Sequence, residues 1–172
     1  YCKKKRIKFD LGLKAKANLK NKIRECLNKI FLINKNIETA SLYFPINNEI
    51  SPFEFINYLQ KKDVTLSLPL IDNKNKIIIF KKWIPNDQLI KGPFGTMEPS
   101  NTQTSILPQI LVVPMLSFDK ELYRLGYGGG YYDKSINILK KHFKKERKFF
   151  ITIGLAYSIQ EEKKIPKEKH DM

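Results

Sequence analysis

The chain has 172 residues, with 32 Lys and Arg against 17 Asp and Glu, and a formal net charge of +15. Its 42% hydrophobic and 12% aromatic residues suffice for a sizeable core, which excludes wholesale disorder and favours one domain over residues 1–172. The positive charge comes from 28 Lys and only 4 Arg. Because arginine makes the forked contacts to phosphate and guanine, the charge by itself does not predict a nucleic-acid partner.

The cysteine and histidine content excludes two kinds of site. Cys2 and Cys26 are too few for a disulfide framework or a four-cysteine zinc site, and His142 and His170 lie far apart. The apolar runs are strand-sized, and no signal-peptide pattern occurs. We therefore expect a cytoplasmic protein without a membrane partner, and a monomer. The chain begins with Tyr1 rather than Met, so we expect its ends to be incomplete.

The amino-terminal half alternates helical and strand patterns. Apolar residues with helical spacing predict a first helix with one buried face: Leu19, Ile23, Cys26, Leu27, Ile30 and Phe31. An apolar run within residues 37–45 predicts a buried strand. The sequence Ser51–Glu54 has the pattern of a capping box, which predicts a helix to about Lys62. Two strands are then predicted at Val64–Pro69 and Lys76–Lys82, joined by a polar turn at Asp72–Asn75.

The carboxyl-terminal half continues the alternation after a long irregular segment, residues 84–108. Segments of that length are usually functional or disordered. Residues 110–114 and 149–155 are apolar and predict buried strands. Between them, Tyr132, Ile136, Leu139 and Phe143 mark one face of a helix. Apolar strands alternating with helices predict an α/β fold with a mainly parallel sheet, covered on both faces.

Residues 124–133, here called the glycine segment, carry the clearest chemistry. Four glycines within residues 126–130 allow backbone N–H groups to converge on an anion, and the helix that follows adds partial positive charge. Arg124 supplies a fork suited to phosphate oxygens, and Asp133 is placed to hold Mg²⁺ against the same phosphates. The segment follows a buried strand, where ligands bind in parallel sheets. The plain alternative is a glycine-rich turn without a ligand.

The motif Pro114-x-x-x-Phe118-Asp119, followed by Arg124-Leu-Gly-x-Gly-x-Gly-Tyr-Tyr-Asp133, resembles the signature of the 5-formyltetrahydrofolate cyclo-ligase family. Three flanking stretches are also similar to the family's pattern: Gly95 to Pro99, Ile153 to Gln160, and Ile165 to Asp171. The family's amino-terminal Lys-x-x-Leu-Arg helix has no clean match in residues 1–6.

This resemblance implies a three-layer α/β sandwich related to the ribose-isomerase and CoA-transferase group. It also implies that ATP and Mg²⁺ drive the conversion of 5-formyltetrahydrofolate to 5,10-methenyltetrahydrofolate. In that reaction the formyl oxygen accepts the γ-phosphoryl group, N10 attacks the activated carbon, and phosphate leaves. The chemistry needs positioned phosphates and neutralised charge, which the glycine segment is suited to supply.

The resemblance assigns site residues position by position. The ATP-binding positions are Arg124, Leu125, Gly126, Tyr127, Gly128, Gly129, Gly130, Tyr131 and Tyr132, of which Arg124 and Tyr131 are the catalytic candidates. The folate-binding positions are Phe44, Glu49, Tyr127, Gly128, Gly129, Gly130 and Tyr131. Asp133 and Asp171 match the Mg²⁺ positions, and Trp83 and Glu98 are weaker candidates for contacts to the pterin or its glutamate tail.

Two other functions stay open at this point. A sugar-phosphate isomerase or acyltransferase of the same fold would use the anion site without ATP. A basic RNA-binding module would use Tyr127, Tyr131 and Tyr132 as stacking platforms. The RNA module predicts an affinity that falls steeply with salt.

Overall fold

A five-stranded sheet between layers of helices forms the centre of the molecule. The structure is a computed structural model, which describes the backbone of residues 13–166 and the side chains of residues 17–166. The sheet strands are β1 Thr39–Ser41, β2 Thr65–Asp72, β3 Ile77–Lys82, β6 Ile110–Val113 and β9 Ile151–Gly154. Short strands outside this sheet are β4 Ile90–Lys91, β5 Met97–Glu98, β7 Ser117–Phe118 and β8 Arg124–Leu125.

The sheet order is β3-β2-β1-β6-β9, and every neighbouring pair is parallel except the β2–β3 hairpin. All four residues of the inner strand β6, between β1 and β9, are at most 2% exposed. Alternate β6 residues point to opposite faces, so Ile110 and Val112 join one core and Leu111 and Val113 the other. Burial on both faces explains the uninterrupted apolar run in the sequence. The predicted three-layer α/β architecture is confirmed.

The helices are α1 Leu13–Ile33, α2 Glu54–Gln60 and α3 Tyr131–Lys145. On α1, Ile23, Leu27 and Ile30 are buried on the face that the spacing predicted, against one side of the sheet. Helix α3 covers the other side through its apolar face. Among residues 13–166, no helix is both long enough and apolar enough to cross a membrane.

The start of α2 corrects the predicted capping box. The helix begins at Glu54, and the residue that precedes it, Phe53, is already helical and makes no side-chain cap bond. The Ser51 hydroxyl instead accepts a hydrogen bond from Phe53 N at 3.3 Å. Tight turns with Phe55 N–Pro52 O and Ile56 N–Phe53 O bonds occupy the place of a regular first helical turn. The Ser51 oxygen therefore bonds within the turn that precedes α2 and does not cap the helix.

The predicted β2–β3 hairpin forms, although β2 continues three residues beyond Pro69 to pair Asp72 with Ile77. At the turn, the Asp72 carboxylate accepts hydrogen bonds from Lys74 N at 3.0 Å and Asn75 N at 3.2 Å. A side chain that satisfies its own turn in this way is the mechanism by which Asp favours such positions. The turn places Asn73 beyond the end of the sheet.

The irregular segment 84–108 is ordered along one edge of the sheet. Lys82 N donates to Thr104 O and Ile106 N donates to Phe80 O, both at 2.8 Å, so the segment covers the outer side of β3. The Lys81 ammonium group holds the same segment by donating to Asn101 O and Gln103 O. An edge strand covered in this way does not present free hydrogen-bonding groups to another chain.

Candidate functional site

Three connections meet beyond the carboxyl ends of the parallel strands. The turn after β1 carries Glu49, the turn after β2 carries Asn73, and the chain after β6 leads into the glycine segment. Hydrogen bonds join both turns to the glycine segment, at Tyr127 and Tyr131. This is the edge of a parallel sheet where ligands bind, so the glycine segment lies where its sequence position indicated.

The turn after β1 is built around a buried carboxylate. Glu49 is 9% exposed, and its Oε2 accepts a hydrogen bond from Ile46 N at 3.0 Å. The buried Tyr43 hydroxyl donates to Ile50 O at 2.6 Å and closes the same turn. The other carboxylate oxygen, Oε1, accepts a hydrogen bond from the Tyr127 hydroxyl at 2.7 Å. Glu49 is therefore fixed toward the glycine segment rather than solvated.

The backbone of the glycine segment depends on two left-handed residues. Gly128 has φ +87° and Gly130, which caps α3, has φ +65°. Side chains other than glycine rarely adopt these angles. The conformation delivers the chain into the amino end of α3, whose unpaired N–H groups and dipole favour an anion.

Arg124 and Asp133 stand at the two ends of the glycine segment and pair with each other. Arg124 Nη2 lies 2.6 Å from Asp133 Oδ1, and the two side chains are 9% and 25% exposed. The Arg124 guanidinium also lies 5.8 Å from the centre of the Tyr132 ring, within the range of a cation–π contact. A guanidinium has five N–H donors in a planar fork, so the pair with Asp133 leaves donors that can face phosphate oxygens.

Tyr132 lies between charges of opposite sign. Burial and the negative charge of Glu49 raise the pKa of Tyr132, and the Arg124 guanidinium opposes them in part. The phenol therefore stays neutral at physiological pH and does not serve as a base. The structure thus brings charged and polar side chains from two distant parts of the sequence into one electrostatic group: Glu49, Tyr132, Arg124 and Asp133.

Tyr131 is held on two sides by groups outside the glycine segment. Its hydroxyl donates to Asn73 Oδ1 at 2.8 Å, and its ring meets the Phe94 ring edge to face, with centres 6.1 Å apart. At Gly129, an added Cβ would lie 2.6 Å from the Tyr131 ring, which shows how closely the backbone approaches it. No sequence pattern marks Asn73 or Phe94 as site residues, because only the fold brings them near Tyr131.

The flanking motifs support the glycine segment. Asp119 is 2% exposed, and its carboxylate accepts hydrogen bonds from Glu121 N, Tyr123 N and Ile165 N, each at 3.0 Å. It therefore shapes the turn into Arg124 and ties the segment at Ile165 to it. The buried Gln160 donates to Met115 O at 2.8 Å on the path from β6 to the glycine segment.

The remaining candidates for folate contacts, Phe44, Trp83 and Glu98, lie outside the glycine segment. Phe44 is half-buried, and its ring edge lies against Phe53, with centres 5.5 Å apart. Trp83 is 6% exposed and stacks on the other side of Phe53. Trp83 Nε1 is buried and has no hydrogen-bond partner in the described part of the chain. Glu98 is 4% exposed and bonds to Thr96 at the start of the β5 strand.

The carboxylates near the glycine segment are few. Within the described residues, no three His, Cys, Asp or Glu side chains cluster as a metal site. Asp171 lies outside the described residues, so Asp133 is the Mg²⁺ candidate that can be placed. Because Mg²⁺ commonly uses one or two carboxylates together with substrate phosphates, a single carboxylate beside an anion site fits that ion.

Comparison with known proteins decides the family. The model of the 5-formyltetrahydrofolate cyclo-ligase family matches residues 4–172. The chain belongs to the 5-formyltetrahydrofolate cyclo-ligase family. A curated member from Haemophilus influenzae, a 5-formyltetrahydrofolate cyclo-ligase, is 33% identical over 143 residues, covering 80% of this chain and 73% of that protein.

Two solved structures of 5,10-methenyltetrahydrofolate synthetases share the fold of this cyclo-ligase family member. The Aquifex aeolicus protein gives a TM-score of 0.68 at 28% identity, covering 99% of this chain and 81% of that one. The Mycoplasma pneumoniae protein gives a TM-score of 0.69 at 24% identity, covering 99% and 89%. The sequence resemblance to the cyclo-ligase family is therefore confirmed.

Proposed function

We propose that this chain converts 5-formyltetrahydrofolate to 5,10-methenyltetrahydrofolate with conversion of ATP to ADP and phosphate. The observation that carries the proposal is the placement of the glycine segment, with Arg124 at one end and Asp133 at the other, beyond β6 and against Glu49. An anion site next to a buried carboxylate can hold the phosphates of a nucleotide beside a ring that donates hydrogen bonds to the carboxylate.

The reaction balances in two steps. The formyl oxygen attacks the γ-phosphorus of ATP, its bond to phosphorus forms, and the bond to ADP breaks. N10 then attacks the activated formyl carbon and loses its proton to solvent, and the bond from that carbon to oxygen breaks, so that phosphate leaves with the former formyl oxygen as the ring closes. Both steps require in-line placement and stabilised phosphate charge more than a strong base. The neutral phenol of Tyr132 agrees with that requirement.

In this proposal Arg124 through Tyr132 form the ATP site. The Arg124 fork and the N–H groups around Gly128 and Gly130 bind phosphate oxygens, and Asp133 orients the guanidinium. Arg124 neutralises charge at the transferred phosphoryl group. Tyr131, fixed by Asn73, contacts the reacting centre from the folate side.

Folate binds between the glycine segment and the turn after β1. Glu49 offers carboxylate oxygens to ring N–H groups, and Tyr127 orients that carboxylate through its 2.7 Å hydrogen bond. The half-buried Phe44 supplies an apolar surface beside it. Gly128, Gly129 and Gly130 allow the folate to approach the backbone closely.

Mg²⁺ would be held by Asp133, with Asp171 as the second carboxylate. When bound, the ion adds positive charge beside the phosphates. Arg124 and the backbone N–H groups supply the remaining positive field. We further propose that the enzyme acts in the cytoplasm, as a monomer, on small molecules. Light scattering of the purified chain tests the monomeric state.

The deciding experiment follows the absorbance of methenyltetrahydrofolate when the full chain is mixed with 5-formyltetrahydrofolate and MgATP. We expect turnover that stops when ATP is omitted. A flat trace from folded protein with all components present would overturn the proposal. A binding assay with single-stranded RNA at low and high salt addresses the RNA-binding alternative, for which we expect no specific affinity.

A further inference from the structure

Phe94 is an exposed aromatic residue in a strained conformation beside Tyr131. Its side chain is 70% exposed, and its backbone lies in the left-handed region at φ 59° and ψ 15°. A bulky residue rarely adopts that region, and such strain persists where the surroundings hold it and clusters at ligand sites. The Phe94 ring meets the Tyr131 ring edge to face, with centres 6.1 Å apart. The strained residue therefore lies next to a residue of the glycine segment.

A buried group holds Phe94 in this conformation. Gly92 N donates to Thr96 O at 2.9 Å and Thr96 N donates to Pro93 O at 3.2 Å, so residues 92–96 form a closed loop. Glu98 packs under the loop so closely that a Cβ on Gly92 would lie 2.2 Å from Glu98 Cδ. We call Gly92, Thr96 and Glu98 the Glu98 clamp.

The single proton of the Thr96 hydroxyl indicates whether the Glu98 carboxyl group is protonated. Thr96 Oγ1 lies 2.7 Å from Pro93 O and also 2.7 Å from Glu98 Oε1. The hydroxyl has one proton, and a carbonyl has none to give, so an ionised Glu98 leaves one of these contacts without a proton. A protonated Glu98 donates to Thr96 Oγ1, and the Thr96 hydroxyl then donates to Pro93 O. Burial, which raises the pKa of Glu98, favours the same state.

The clamp also reaches the second contact of Tyr131. The Ile71 backbone N–H faces the Glu98 carboxyl group. Ile71 lies near the end of β2, two residues before Asn73, whose Oδ1 accepts the Tyr131 hydroxyl proton. One buried side chain therefore lies against both segments that hold Tyr131, the loop with Phe94 and the end of β2 that leads to Asn73.

We propose that Glu98, as the neutral acid, and Thr96 are positioning residues that hold Phe94 and Asn73 around Tyr131 and so shape the folate part of the site. The proposal deepens the proposed function and rests on it. It gives Glu98 an indirect role, because a side chain 4% exposed under the loop acts through the loop rather than on the folate.

The matched pair Thr96→Val and Thr96→Ser tests the clamp. Valine keeps the shape and removes the hydroxyl, and serine retains it. With isothermal titration calorimetry, we expect Thr96→Val to weaken binding of 5-formyltetrahydrofolate about tenfold and that of MgATP less than about twofold. Thr96→Ser stays close to the wild type. In a Phe94→Ala background the same Thr96→Val change adds little, because the two act through one contact.

Glu98→Gln and Glu98→Leu test the protonation state. The glutamine amide donates to Thr96 Oγ1, as the neutral acid does, so we expect wild-type folate affinity. Glu98→Leu removes this bond and should match Thr96→Val. Folate affinity reduced equally in Glu98→Gln and Glu98→Leu would overturn the neutral clamp. Equal loss of folate and MgATP affinity in Thr96→Val would also overturn it, since that pattern marks a general structural defect.

A measurement without ligand separates this proposal from the proposed function. Hydrogen exchange of the Gly92 and Thr96 amides should be faster in Thr96→Val than in Thr96→Ser, because the loop loses its tie to Glu98. Unchanged exchange in Thr96→Val overturns the clamp even if the wild type binds folate. A wild type that binds no folate overturns the proposed function, whatever the exchange rates.

Discussion

The Tyr127 hydroxyl donates a 2.7 Å hydrogen bond to Glu49 Oε1 across 78 positions of sequence. The bond joins the glycine segment to the turn after β1, and so fixes a buried carboxylate toward the place where we locate the folate. Because a buried carboxylate is costly unless it is hydrogen-bonded, each partner stabilises the position of the other.

Tyr127→Phe should weaken folate binding and lower stability. The change removes a donor from Glu49, which predicts a loss of about 1–2 kcal/mol in the free energy of unfolding and a folate dissociation constant raised several-fold. Urea unfolding and calorimetry measure the two effects. Tyr58→Phe is the matched control, because its hydroxyl bonds to Asn28 far from the glycine segment. Wild-type folate affinity in Tyr127→Phe would remove Glu49 and Tyr127 from the folate site.

Arg124→Lys should reduce kcat/KM for ATP at least about tenfold, equivalent to roughly 1.4 kcal/mol. Lysine keeps the charge but loses the planar fork that spans Asp133 and a phosphate. Steady-state kinetics at saturating folate measure the change, and Arg24→Lys on the exposed side of α1 is the control. Kinetics like those of the wild type would place Arg124 outside the phosphate site.

Gly128→Ala and Gly130→Ala should weaken MgATP binding more than folate binding. An added Cβ meets nothing within 4 Å at either position, so the effect comes from the left-handed backbone, at about 1 kcal/mol per site. Gly95→Ala has the same open surroundings and φ +78°, outside the glycine segment. We expect it to leave MgATP affinity unchanged. If all three variants lose MgATP affinity alike, backbone strain in general is responsible and the phosphate assignment is wrong.

Asp133→Asn should raise the Mg²⁺ concentration needed for half-maximal activity, as should Asp171→Asn. If both carboxylates reach one ion, the double variant loses less than the sum of the single losses. Titration of Mg²⁺ at fixed ATP measures this in the three variants. An unchanged Mg²⁺ requirement in Asp171→Asn would leave Asp133 as the only carboxylate ligand among the two.

The stability of the fold should depend on pH through Glu98. Burial raises the pKa of its carboxyl group above the ordinary 4.5. A raised folded-state pKa contributes stability that is present below about pH 4.5 and is lost as pH rises through the folded-state pKa. Glu98→Gln does not titrate, so the wild type should lose stability relative to Glu98→Gln as pH rises from about 4.5 through the raised folded-state pKa. Urea unfolding across that range measures the difference, and a constant difference would contradict the assignment.

The sequence alone determined the layers of the fold and the place of the glycine segment. The uninterrupted apolar run Ile110–Val113 requires burial on both faces, and the spacing of Ile136, Leu139 and Phe143 defines a helix face wherever the helix packs. Gly128 and Gly130 likewise take up their left-handed angles for a local reason, the absence of a Cβ. Patterns of this kind need no knowledge of distant residues.

The tertiary structure decided which distant residues act together. Tyr131 and Asn73 are 58 positions apart, and their bond exists because parallel β2 and β6 end at the same edge of the sheet. The packing of Phe94 against Tyr131 and the approach of Arg124 to Asp133 depend in the same way on the folded backbone. Hydrogen bonds and desolvation act over a few ångströms, and only the folded chain sets those distances.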